Sequence, residues 1–457
     1  MWNPSIDKAA GPVYLAIADA LAADILSGRL AAGVRLPTQR ALATALGIDF
    51  TTVSRAYTEA RRRGLVEGRV GQGTYVRATR PSHAVPTETG LVDMRMNLPP
   101  RFDDAGLLAR MWDGISGLQT DAGLDVLLRY QEAGGSHLDR AAGRIWLAPR
   151  LGDIPADRIL VCPGAQGALL AVVGTLAKPG EAICVEALTY PGFRSLAAHL
   201  GIELVGVPVD AEGVLPEAFE QVCKERKPKA LYCNPTLHNP TTATLSLKRR
   251  EALVAAADRH GVPIIEDDAY GALPDAPVAP LAALAPGLVY HVAGLAKCIA
   301  PALRIAYLVT PDARAAARCA GAIRATASMA SPLTAAIASR WIEDGTAGAV
   351  LSAIRQEAMA RQSIAAQTLP RDLTVADPQG FHVWLNLRQP WSRGEFATRL
   401  RSAGIGVVAS DAFAISSPPE AVRLGLGAAS SHEDLRRTLQ SASDLLAESP
   451  AMSSMVV

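Results

Sequence analysis

Between residues 158 and 309 the chain writes seven short apolar runs, several of them parted by helix-forming stretches, and this alternation constrains the fold more than any other feature. The runs are RILVCPG, EAICVEA, IELVGVPV, KALYCNP, VPIIEDD, LVYHVAG and LRIAYLV, and the stretches between them include GALLAVVGTLA and GFRSLAAHLG. Each run has the length of a strand and is bounded by turn formers. The pattern predicts a mainly parallel or mixed sheet with helices on both faces, an α/β fold whose larger part spans about 140–330. From about 331 to 445, long Ala-rich helices lead to GFHVWLNL, a helix over 393–403 and AVRLGLGA, a smaller α+β subdomain. Residues 446–457 read as a flexible tail.

A chain of 457 residues exceeds one ordinary core, so further domains are expected. With 49% hydrophobic and 19% charged residues, it is a well-packed soluble protein and not a disordered one. The six cysteines (162, 184, 223, 233, 298 and 319) show no C-x-x-C pair, so they read as small buried residues in a reducing cytoplasm. The start MWNPSIDKAA lacks the pattern of a signal peptide, and the most apolar windows are too short and punctuated to span a bilayer. Charge is unevenly spread. Residues 1–77 carry ten Lys/Arg against six Asp/Glu, whereas the remainder carries 35 against 38, which points to nucleic acid near the N-terminus.

That first segment has its own organisation. Residues 13–28 place apolar side chains at helical spacing and stop at Gly28; a second helix begins near Thr38, a good N-cap, and ends at Gly47. A third runs roughly from Thr51 to Arg63, and GLVEGRVGQGTYV supplies two short strands about a Gly-rich turn. Together these form a winged helix-turn-helix over residues 1–77. The polar, aperiodic RATRPSHAVPTETG then makes a linker over 78–90.

The linked pattern LP-x-x-R, TTVSRAY and G-x-G-T within 36–76 resembles the DNA-binding domain of the GntR regulator family. The resemblance implies double-stranded operator DNA as partner, with the third helix in the major groove and Thr51, Thr52, Ser54 and Arg55 nearest the base edges. Arg40 would reach phosphate or a base, and Arg69 with the Gly71–Gly73 turn would form the wing. Tyr57 reads as core or dimer packing more than as a base contact, and Arg61, Arg62 and Arg63 as either a solvated helix end or phosphate contacts. Asp49 and Phe50 depart from the polar or basic residues usual at that corner.

The remainder carries dispersed motifs that fit one cofactor. Pyridoxal 5′-phosphate (PLP) needs an amine to attach to, a carboxylate on its ring nitrogen, donors to its phenolic oxygen, an aromatic over the ring and an anion cradle. GLAKCIAPALR resembles the lysine motif of fold-type I aminotransferases, which implies Lys297 as the attachment point and Arg304 on the phosphate. Asp267 and Tyr270 in IIEDDAY resemble the D-x-x-Y that serves the ring nitrogen and the phenolic oxygen; the spacing favours Asp267 over Asp268. Asn239 in CNPTLHNPTT matches a second donor to that oxygen, and Tyr190 in LTYPGF the stacking ring. The turn GAQGA opens a helix whose amides at Ala165 and Gln166 can hold phosphate.

Two further matches follow from the same resemblance: Tyr130, reaching phosphate from a neighbouring subunit, and Arg423 in VRLGLG, gripping an α-carboxylate. His238 and Trp384 read as pocket lining or core. Three hydroxyls usual in the family's phosphate cup are missing, with Gly294, Ala296 and Ala165 in their places.

With a GntR-type segment ahead of an aminotransferase-like domain at 91–445, the chain is identified as a member of the MocR subfamily of GntR regulators. The resemblance implies a PLP-dependent transcriptional regulator, a homodimer with shared sites, that senses an amino acid, a related amine or PLP itself. A working aminotransferase with an accessory DNA-binding domain is the alternative.

Overall fold

The computed structural model describes residues 2–4, 12–26, 29–31, 33–63, 65–69, 73–76, 92–121 and 123–448. The expected linker 78–90, Gly71, the stop at Gly28 and the tail beyond residue 448 lie outside the described residues. By its contacts the chain divides into two units, residues 1–89 and 90–457.

The first unit contains α1 (Val13–Leu26), α2 (Gln39–Leu46), α3 (Phe50–Arg62) and an antiparallel hairpin of β1 (Val66–Arg69) and β2 (Gly73–Val76). Thr38 caps α2 by accepting the Ala41 amide at 3.2 Å, and Gly47 ends it at φ 61°, a left-handed conformation that a Cβ would strain. The sequence places the start of the third helix near Thr51, but the structure starts it at Phe50. Asp49 is the reason: its Oδ1 accepts the Thr51 amide at 2.7 Å, and its charge meets the positive end of the helix. Ile17, Leu21, Leu42, Val53, Ala56 and Val76 close a small core. Tyr57 lies within that core and donates its hydroxyl to the Pro37 carbonyl at 2.8 Å, so it packs and does not reach a base.

In the second unit all seven apolar runs become strands of one sheet. Its spatial order is Ile159–Cys162, Ala306–Val309, Val289–Gly294, Ile264–Asp267, Leu231–Cys233, Ala182–Glu186 and Glu203–Val207. Ala306–Val309 is antiparallel to both neighbours, and every other pairing is parallel, so the sheet is mixed with a single reversed strand. Alternate side chains serve different layers. Ile159 and Val161 join a core with Trp341 and Ile354, while Leu160 and Cys162 join one under the helix Gly164–Leu176. Burying each Leu- or Val-sized side chain contributes about 1.5–3 kcal/mol, so a strand covered on both faces is held more strongly than one with a wet face.

A four-stranded antiparallel sheet (Thr374–Ala376, His382–Asn386, Ala421–Gly425 and Val408–Ala409) forms the smaller subdomain, backed by helices Arg393–Ser402 and His432–Ala447. Its expected start near 331 shifts, because the helix Pro332–Glu343 buries Ala338 and Trp341 in the core of the large sheet. The next helix, Thr346–Thr368, runs from that core, at Val350 and Ile354, into the core of the small sheet at Ile364 and Ala365. Val92–Asp93 pairs with Ile405–Gly406, and the segment after it crosses the small sheet. A Cβ on Gly425 would lie 2.7 Å from the Met96 carbonyl, so only glycine admits this crossing.

Candidate functional site

Strand ends of the large sheet and one face of the small sheet enclose a cavity of about 510 Å³, within the range of small-molecule sites. Lys297, Asp267, Tyr270, Asn239, Tyr190, Ala165, Gln166, Arg304 and Arg423 all line it. Tyr130 does not; it is 88% exposed, which removes the reading of a packed core tyrosine.

Strand parity explains which aspartate faces the cavity. Ile265 points toward the core under Gly164–Leu176, and Asp267, two residues on, keeps that side. Asp268 falls on the other side, where it pairs with Arg150. Asp267 Oδ2 accepts the Tyr232 hydroxyl at 2.8 Å, while Oδ1 is buried with no partner. Burial pushes this carboxyl up to about 6, against the Tyr232 hydrogen bond that lowers it.

Lys297 follows the strand Val289–Gly294, and its Nζ donates to the Asn97 carbonyl. Burial and the nearby Arg423 charge pull this amine down to about 8, so a fraction of it is neutral near physiological pH. Elsewhere on the cavity wall the helix Gly164–Leu176 presents its first amides, which have no intrahelical acceptors. The Arg304 guanidinium lies against Gly164, where an added Cβ would sit 3.4 Å from its carbon. Among the described residues Arg304 has no carboxylate partner. A helix N-terminus and an uncompensated guanidinium together call for an anion.

Arg423 occupies the alternate face of its strand from Val422 and Leu424, which belong to the small core. Its Nη1 donates to Asn239 Oδ1 at 2.8 Å, Nη2 donates to the Arg95 carbonyl, and Nε is buried without a partner. The guanidinium carbon lies 5.2 Å from the centre of the Phe413 ring. Tyr190 accepts from Gln166 Nε2 at 3.4 Å. His238 is buried with Nδ1 2.7 Å from Thr241 Oγ1, and Trp384 packs edge-on against Phe413; neither lines the cavity.

Sequence reasoning missed the segment Arg95–Leu98, which walls the cavity, and also Tyr232 and Asn234. Asn234 fixes two site residues: its Nδ2 donates to the Asp267 carbonyl at 2.5 Å, and its Oδ1 accepts the Asn239 amide at 3.0 Å. The sequence signal for Asn234 lay in plain view in CNPTLHNP, but Arg95–Leu98 carries no periodicity to mark it.

In the first unit, Arg40, Thr51 and Arg55 are exposed, and Thr52 and Ser54 are partly so. The Thr51 hydroxyl is engaged by Asp49, and the Arg55 guanidinium lies 4.4 Å from the centre of the Tyr14 ring. Arg62 and Arg63 both pair with Glu59 at 2.7 Å, and Arg63 pairs with Asp19 as well, so these two form an ion-paired helix end. Arg69 ends β1 opposite Gly73, and a Cβ on Gly73 would meet Arg35 Nε at 3.0 Å, which adds Arg35 to the base of the wing.

Comparison with known proteins follows this division. Residues 13–76 match the gntR family of bacterial regulatory proteins, and residues 130–441 match aminotransferase class I and II. Among solved structures, an archaeal alanine:glyoxylate aminotransferase superposes with a TM-score of 0.71 at 23% identity, covering 78% of this chain and 91% of that one. A Pyrococcus horikoshii kynurenine aminotransferase gives 0.72 at 21% identity over 81% and 93%. The second unit therefore has the fold-type I aminotransferase fold. Full-length relatives combine it with the same N-terminal unit. An uncharacterised HTH-type transcriptional regulator of Bacillus subtilis, YdeF, is 32% identical over 96% of this chain and 95% of its own. TauR of Rhodobacter capsulatus, also an HTH-type transcriptional regulator, is 28% identical over 83% and 85%. The pyridoxine biosynthesis regulator PdxR of Corynebacterium glutamicum is 28% identical over 64% of each. The chain belongs to the MocR subfamily of GntR-family transcriptional regulators, DNA-binding proteins with an aminotransferase-like domain. No helix among the described residues is long and apolar enough to cross a membrane.

Proposed function

We propose that this regulator holds PLP in the cavity and couples an amino compound bound there, or PLP itself, to operator binding. The observation that carries the reading is a pair of unsatisfied groups on the wall of one cavity, a buried carboxylate oxygen and a guanidinium beside a helix N-terminus. The Asp267 Oδ1 acceptor has no donor, and the Arg304 guanidinium at a helix N-terminus has no anion. A pyridinium against the first and a phosphate against the second satisfy both, so the residues present fit PLP.

Asp267 would hold the ring nitrogen; Arg304 and the Ala165 and Gln166 amides would hold the phosphate. Tyr270 and Asn239 would serve the phenolic oxygen, Tyr190 would cover the ring, and Lys297 would supply the amine. When bound, PLP supplies a carbonyl that condenses with primary amines and a ring that withdraws electrons. Arg423, with a buried Nε still to be satisfied, would take the carboxylate of an amino-acid effector. The exposed Tyr130 suits a contact with the phosphate of a second copy, which makes the working unit a homodimer in the cytoplasm. For DNA, Arg40, Thr51, Thr52, Ser54, Arg55, Arg69, Gly71 and Gly73 form the reading surface. An effector shifts operator affinity only if it binds two states of the protein unequally.

Footprinting on the protein's own upstream region, with and without PLP and amino acids, tests this reading. Protection that responds to ligand and disappears in Arg40→Ala/Arg55→Ala is expected. Multiple-turnover keto-acid production with no ligand-dependent DNA binding would favour the aminotransferase reading, which the complete Lys297, Asp267 and Arg423 set keeps in view. A Lys297→Ala protein with unaltered visible absorbance would remove the cofactor assignment.

A further inference from the structure

The Tyr270 hydroxyl ends a buried chain of polar groups whose hydrogen positions all follow from one backbone carbonyl. The His238 carbonyl oxygen can only accept, so His382 Nε2, 3.1 Å away, carries a hydrogen and donates it there. Burial, with the Arg423 charge, pushes His382 down to about 3, so the ring is neutral and its Nδ1 is a bare acceptor. That nitrogen lies 3.2 Å from Asn97 Nδ2, and the same Nδ2 donates to the Tyr270 oxygen at 2.8 Å. Turning the Asn97 amide over would set its oxygen against the bare nitrogen and leave both of its hydrogens unused. The observed orientation makes two bonds and leaves only Asn97 Oδ1 buried without a partner. With its oxygen already receiving a hydrogen from Asn97, Tyr270 has its own hydrogen to give elsewhere. Burial raises its pKa further, so the hydroxyl stays protonated. Tyr270 and Asn97 both line the cavity.

We infer that His382 and Asn97 are positioning residues that turn the Tyr270 hydrogen into the cavity, as a fixed donor to an oxyanion on the ring of a bound aromatic aldehyde. The inference rests on the PLP reading and deepens it. Neither residue need touch the ligand. His382 Nδ1 holds the Asn97 amide, the amide occupies the Tyr270 oxygen, and the tyrosine is left with one direction in which to donate. The three residues lie 285 and 173 positions apart along the pairs that join them, so the arrangement exists only in the folded unit.

The test is a double-mutant cycle on the full chain, with PLP binding followed by visible absorbance. Asn97→Leu and His382→Leu are each made in the wild-type and in the Tyr270→Phe background. In the presence of Tyr270, Asn97→Leu raises the PLP dissociation constant about five- to tenfold, a part of the worth of a hydrogen bond to a charged acceptor, because the hydroxyl can still donate but is no longer aimed. In the Tyr270→Phe background the same change has an effect of less than about twofold, because no hydroxyl remains to be aimed. The absorbance band of bound PLP moves in Asn97→Leu in the same direction as in Tyr270→Phe. Equal losses in both backgrounds overturn the inference, since a merely structural role is indifferent to the hydroxyl. Should Asn97→Leu fail to melt cooperatively in its PLP-free form, Asn97→Ala carries the same cycle. A wild-type protein that binds no PLP overturns the cofactor reading together with this one; binding with additive losses overturns this one alone.

Discussion

Asp267→Asn is expected to make the ligand-free protein more stable and its hold on PLP weaker. Asp267 is buried beneath the cavity, and its carboxyl is raised from an ordinary 3.8 to about 6. At about 1.4 kcal/mol per pK unit, that displacement destabilises the ligand-free fold by about 3 kcal/mol once the group is ionised. The pH window follows from the direction. Below the unfolded value near 3.8 the group is neutral in both states and nothing is lost; the penalty grows as pH rises and is complete above about 6. Asparagine is close in shape, keeps an oxygen for the Tyr232 hydroxyl and carries no charge to bury. Thermal unfolding of PLP-free protein at pH 7.5 should therefore show a higher Tm for Asp267→Asn by a few degrees, with the gap closing toward pH 4. The same variant loses a charge-assisted bond to the ring nitrogen, so its PLP dissociation constant rises about ten- to a hundredfold. A variant less stable than wild type at pH 7.5, or one that binds PLP equally well, would refute the claim that this buried carboxylate is held for a cation.

Other outcomes follow from named residues. Ala296→Ser returns a hydroxyl beside the phosphate end and should tighten PLP about fivefold by equilibrium titration, the worth of one neutral hydrogen bond. Gly294→Ser should gain less, because its Cβ would lie 3.3 Å from that of Ala165. Tyr130→Phe changes an 88% exposed side chain, so Tm should stay within a degree or so while PLP affinity falls several-fold; unchanged affinity would remove the shared-site reading. Asp49→Asn keeps the cap on α3 but removes a negative charge from the DNA-reading end. Nonspecific DNA binding measured at low salt should strengthen by about two- to fivefold, while loss of the charge at the helix start lowers Tm by no more than about a degree or two.

The sequence exposed what repeats or stands at fixed spacing. Seven apolar runs became seven strands because each is long enough to reveal its own burial. The Lys297–Arg304 and Asp267–Tyr270 intervals survive because each spans one strand end or turn. Thr38 and Gly47 could be read directly, since capping chemistry is local. Asp49 was equally local yet looked anomalous, because the residue that caps α3 also stands where DNA is expected. The rest was hidden by distance. Asn97 meets groups 173 and 285 residues away, and its segment has no period, no cap and no motif. Tyr232 looked like one more apolar strand residue, and only register with Ile265 places its hydroxyl under Asp267. The helix Pro332–Glu343 was divided from the large sheet because Ala-rich helices carry little information about which core receives them.

The helix Thr346–Thr368 has a mechanical consequence. At 1.5 Å per residue its 23 residues form a rod about 35 Å long, with no proline and no glycine beyond Gly348. One end is clamped in the core that takes in Leu295 and Cys298 on either side of Lys297, the other in the core of the sheet that carries Arg423. A molecule spanning those residues loads the rod from the side, and a rod without a weak point resists bending along its length. Compliance is left to its ends, so under the proposed function a ligand that pulled on Lys297 and Arg423 would tilt the small sheet as a unit. Stiffness of this kind would let a few-atom effector act at the scale of the whole small subdomain.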